Sequence, residues 1–89
     1  METGQFDELI DLAQRLGVTV RHAHLGGNGG GLVKLKDKRQ LFIDLDAEPM
    51  DQLATTVGAL AGLPELDGVY IRPDVRKLIE EFGGRRHGV

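Results

Sequence analysis

His22 and His24 stand two apart in the chain, and so do Asp44 and Asp46. Residues two apart on an extended strand point the same way, so each pair would present two donors from one face. Imidazoles and carboxylates together suit zinc, manganese or iron. His22, His24, Asp44 and Asp46 are therefore the metal-ligand candidates, for a divalent metal such as zinc. They carry the alternative reading of the chain as a metal-binding protein with a metal-dependent, hydrolase-like site. Each also has a simpler role. Asp44 would sit diagonal to Lys34 in a surface ion pair, Asp46 would orient the start of the helix that follows, and the histidines would be half-buried structural residues. A metal site further needs both pairs on one face of a sheet, which spacing alone does not dictate.

Other chemistry is sparse. The chain has no cysteine and no serine, hence no thiolate, no disulfide and no serine-based triad. The run Gly26-Gly27-Asn28-Gly29-Gly30-Gly31 brings backbone N–H groups together as an anion-binding loop does. It lacks the Gly-x-Gly-x-x-Gly spacing and a following Gly-Lys-Ser/Thr, and a strand pattern rather than a helix comes next. It reads instead as a flexible connection that crosses between strands, or as a close backbone approach. Lys34, Lys36, Lys38 and Arg39 form a basic cluster, but only Phe42 is near to stack a base, and the net charge is −3. Nucleic acid is not the expected partner. A protein partner or self-association is, with Lys34, Lys36, Phe42 and Asn28 as the contact candidates.

The elements that must position these residues are organised around residues 31–46. Strand alternation there runs into a polar turn and out again, which predicts a β-hairpin. If Val33 and Leu35 share a face with Leu41, Ile43 and Leu45, then Leu35 pairs with Leu41 and Val33 with Ile43. Asp37, Lys38 and Arg39 are left as a three-residue loop, and Lys34, Lys36, Phe42, Asp44 and Asp46 lie outside. Before the hairpin, Phe6, Leu9, Ile10, Leu12, Ala13 and Leu16 predict a helix over about residues 4–16, ended by Gly17. Val18 to Leu25 alternates as a strand, with a bulge near Arg21 as a way to switch its phase. After the hairpin, Pro49 opens a helix with Met50, Leu53, Ala54, Val57, Leu60 and Ala61 on one face and Gly62 as its stop. Leu63 to Gly68 is a turn segment, and Val69-Tyr70-Ile71 is a candidate fourth strand. A third helix opens at Pro73 and Asp74, turns Val75, Leu78, Ile79 and Phe82 inward, and closes at Gly83.

This order predicts an α+β fold: a small antiparallel sheet of three or four strands with three helices mainly on one face. At 89 residues the chain is expected to form a single domain over residues 1–84 with a flexible tail at 85–89. Its polar N-terminus and lack of a long apolar run predict a cytoplasmic protein with no membrane partner.

The stretch "LIDLAQRLGVTVRHAHL", the glycine-rich link, and "GLVKLKDKRQLFIDLDAEPMDQLATTVGALAGL" together resemble the front of the ImmA/IrrE family of zinc metallopeptidases, over about residues 8–62. The resemblance lies in a helix ending in Leu-Gly, then a strand, a hairpin ending in Leu41-Phe42-Ile43-Asp44, and a helix entered through a proline turn. That family carries His-Glu-x-x-His on the last of these helices. Here Leu53 to Ala61 holds neither histidine nor glutamate, so the resemblance implies a non-catalytic scaffold and transfers no ligand. The sequence thus predicts a non-enzymatic accessory protein, an adaptor, regulator or structural subunit without cofactor, quite compatible with a homo-oligomer.

Overall fold

In a computed structural model the described residues are 3–27 and 29–83, without the side chains of Thr3, Phe82 and Gly83. The expectations for Asn28, for the inward side chain of Phe82 and for the 85–89 tail lie outside them. Helix α1 (Thr3–Arg15) leads into β1 (Val18–Ala23), β2 (Gly31–Leu35) and β3 (Lys38–Asp44). Helix α2 (Pro49–Ala61), a 3-10 turn (Pro64–Gly68) and α3 (Pro73–Gly83) follow. The helix starts and stops match their chemistry. Gly17 takes φ +86 after α1, where a Cβ would be strained, and Pro49 and Pro73 each occupy a first helical turn that has no use for their missing N–H.

The α+β class holds, with three α-helices and three strands among the described residues, the strands in the order β1-β3-β2. The hairpin pair β2–β3 is antiparallel, but β1 lies parallel to β3, so the sheet is mixed. Val69 to Ile71 forms no fourth strand. The β1–β3 register runs unbroken from Val18 opposite Arg39 to Ala23 opposite Asp44, without the bulge predicted near Arg21. Parallel pairing removes the need for one. It sets Val18 and Val20 beside Arg39 and Leu41, so the apolar half of β1 already faces the helices.

The hairpin register also differs from the predicted one. Leu35 lies opposite Lys38, Lys34 opposite Arg39, Val33 opposite Gln40 and Leu32 opposite Leu41, which leaves Lys36 and Asp37 as a two-residue turn. Lys36 accepts φ 57 at the first turn position, where a tight hairpin needs positive φ. Two interactions explain the outcome. β3 sits in the middle, so Leu41 and Ile43 must face the helices, and both are completely buried. Arg39, two residues earlier on the same face, reaches the end of α1. Its guanidinium donates to the Leu16 carbonyl at 2.7 Å and to Glu65 Oε1 at 2.8 Å. This is a cationic C-cap tied to the 3-10 turn, and Arg39 holds the Glu65 carboxyl below its ordinary range. β2 lies at the sheet edge, where helix cover is thin, so nothing forces Val33 and Leu35 inward.

Arg39→Ala is expected to cost about 2 kcal/mol, the worth of hydrogen bonds from a charged donor to a carbonyl with no other cap. Glu65→Ala, which removes an exposed partner, should cost much less, and Arg39→Lys should fall between. Urea denaturation of the three variants checks the order.

The core lies between the helix layer and one sheet face. Leu9, Leu12 and Ala13 of α1, Leu53, Val57 and Leu60 of α2, and Val75 and Ile79 of α3 close over Val18, Leu41 and Ile43. Thr56 is fully buried, but its hydroxyl donates to the Gln52 carbonyl at 2.9 Å, so it adds no unsatisfied group.

Candidate functional site

The chemistry-bearing residues fall into two regions. The first lies where β1 and β3 end. The link from β1 to β2 must cross the end of β3, a distance of about 10 Å between strands two positions apart. Its glycines make this crossing tight. Gly26, Gly27 and Gly29 take φ of +79, +82 and +91, and a Cβ on Gly30 would stand 1.8 Å from the Phe42 carbonyl oxygen.

Asp44 follows the outward phase of Phe42, yet it is 1% exposed because this link folds over it. It accepts N–H bonds from Leu25 (3.0 Å), Gly29 (3.0 Å) and Asp46 (2.9 Å). Burial alone would raise its pKa. The N–H groups of Leu25, Asp46, Gly29 and Gly27 outweigh that, and the carboxyl is held below its ordinary value of 3.8. The glycine-rich backbone thus does surround an anion, and the anion is the chain's own.

Asp46 continues the pattern by accepting from Gly26 N at 2.9 Å and from His24 Nδ1 at 2.8 Å. A carboxylate only accepts, so this contact puts the proton on Nδ1 of His24. That bond, and next the one from Gly26, lowers the Asp46 pKa. Of the four metal-ligand candidates, the structure joins His24 to Asp46. Asp44 turns to backbone donors instead of pairing with Lys34. His22 lies in the helix-side phase of β1, opposite Ile43. Among the described residues no three histidine or acidic side chains gather as a ligand set. Nor does Asp46 cap α2, whose N-cap Glu48 makes no side-chain cap bond.

The second region is the sheet face turned away from the helices, with the adjoining edge. Val33 is 44% and Leu35 60% exposed there, beside half-buried Phe42. Arg21 donates to Gln40 Oε1 at 2.9 Å across the same face. Of the predicted contact residues, Phe42 belongs to this open face. Lys34 lies in the opposite phase, with Leu32 and Arg39, and Lys36 sits in the turn. The sequence reading missed Val33 and Leu35 as surface residues because it assigned them to the core. Their odd separation from Phe42, which a two-residue turn places on one face, was the available signal.

On the helix side of β2 runs a groove. One part, about 400 Å³, lies between Gly31 and Leu32 and the Ala54–Gly62 face of α2. A second, about 530 Å³, continues past Lys34 to Leu63 and Glu65. β2 pairs with β3 alone, so its outer edge carries no strand among the described residues. No described helix is long and apolar enough to cross a membrane. No family model, curated protein or solved structure matches this chain.

Proposed function

We propose that this chain is a small non-catalytic binding module, an accessory subunit, adaptor or regulator that acts through protein–protein contact or self-association. The observation that carries the reading is the one-sided helix layer. It leaves Val33 and Leu35 exposed beside Phe42 on a bare sheet face, next to an unpaired edge strand. Exposed apolar side chains beside an unpaired edge on a small domain gain by being covered. A scaffold relation to ImmA/IrrE-type proteins is compatible with this role. The inward positions of α2, where that family's zinc ligands would stand, are filled by Leu53, Thr56, Val57 and Leu60.

Leu35→Asp tests the reading, because it charges the bare face without entering the core. Wild-type protein should appear by light scattering and crosslinking as an oligomer or as a defined complex with a co-purifying protein. Leu35→Asp should lose that species and keep its melting temperature within about 3 °C, as exposed substitutions do. A wild-type chain that stays monomeric and retains no partner ends the proposal.

A further inference from the structure

We infer that the groove between β2 and α2 receives an extended segment of a partner protein, alternating apolar and acidic residues, which adds to the sheet antiparallel to β2. This rests on the reading of the chain as a protein-binding module and names the chemistry of its partner. Three observations converge on the same edge. β2 has no strand on its outer side among the described residues, so main-chain donors and acceptors there are free to pair. The groove beside it offers room for side chains over Leu32.

The third observation is charge. Lys34, Lys36 and Lys38 form no ion pair or hydrogen bond with any described side chain, in a chain whose net charge is −3. Nearby Glu65 is already held by Arg39. A locally basic edge on an acidic protein selects an acidic segment and disfavours two other occupants. A second copy paired through β2 would bring its lysines onto the same short ribbon. The chain's own residues after Gly83 include Arg85 and Arg86, the wrong sign.

Alternation fixes the segment's pattern. Side chains opposite Leu32 and Lys34 enter the groove, while those opposite Val33 and Leu35 lie on the bare face. An antiparallel segment therefore reads, from its N-terminus, apolar, acidic, apolar, apolar, with a further acid before the first position to meet Lys36.

A displayed library of random dodecapeptides, panned on the full chain, tests this. The expected result is enrichment of that pattern. A synthetic peptide of the enriched sequence should bind more weakly as salt rises, and at least about tenfold more weakly to Lys34→Glu. Ala54→Trp, which fills the groove from an exposed helix position, should weaken it too, and Lys77→Glu on α3 should not. Circular dichroism confirms that each variant folds. Backbone amide shifts should concentrate at Gly31–Leu35. Enrichment of basic, proline-rich or helix-forming peptides overturns the inference, as does no enrichment, or a dimer of the chain built through β2. If the Leu35-dependent association persists under any of those results, the binding-module reading stands without this partner. Loss of both removes both.

Discussion

Gly30→Ala should destabilise the fold by about 3 kcal/mol or more, a large effect for one added methyl group. The new Cβ would lie 1.8 Å from the Phe42 carbonyl oxygen and 2.7 Å from its carbon. Both belong to the backbone of the central strand, whose neighbouring side chains Leu41 and Ile43 are buried, so neither the strand nor the link can move without opening the core. Two other glycines separate this steric cause from backbone strain. Gly29 has φ +91 and open space around it, so Gly29→Ala should cost only the left-handed penalty, about 1–2 kcal/mol. Gly4 has open space within α1, and Gly4→Ala should be neutral or stabilise by up to about 1 kcal/mol. Urea unfolding gives all three. If Gly30→Ala costs no more than Gly29→Ala, the link does not cross Phe42 as closely as described.

Asp44→Asn should lower the melting temperature by on the order of 10 °C and speed amide exchange at Leu25, Gly27 and Gly29. Asparagine keeps the volume but turns an NH₂ group toward N–H donors that now meet a carboxylate oxygen. The pH dependence follows from the direction of the shift. The folded pKa of Asp44 lies below its ordinary 3.8, so its stabilisation is complete above about pH 4 and disappears as pH falls through the folded value. The gap between wild type and Asp44→Asn should therefore narrow in acid. Asp46 shifts in the same direction through His24 and Gly26. Asp74, held by Arg72 to about 2, keeps part of the acid slope in the variant between pH 3.8 and about 2. A gap that stays constant from pH 7 to pH 2 would show that the Asp44 carboxylate is not the anion around which the link is folded.

Much of the fold was legible in local sequence signals. Three amphipathic helices, the proline starts of α2 and α3, the glycine stops of α1 and α2, the strands and the α+β class all follow from periodicity and capping chemistry, which act over a few residues. Of the two readings of the glycine run, the close backbone approach is found, at Gly30 over Phe42. The candidate sites were legible only as residue types. His24 does meet Asp46, but Asp44 is covered and bonded by the link, and Lys34 and Phe42 went to opposite faces.

The amino-acid sequence by itself determined which segments become helix or strand, where most of them end, and that no cysteine or serine chemistry is available. Tertiary structure alone decided how the strands pair, and with that which side chains are exposed. Placing β3 between β1 and β2 put Leu41 and Ile43 under three helices and drew Arg39 to the end of α1, and those long-range contacts outweighed the local preference to bury Val33 and Leu35. Strand phase inverts with a single-residue change in register, so the bare apolar face followed from pairing energies between segments far apart in the chain, which no local pattern encodes.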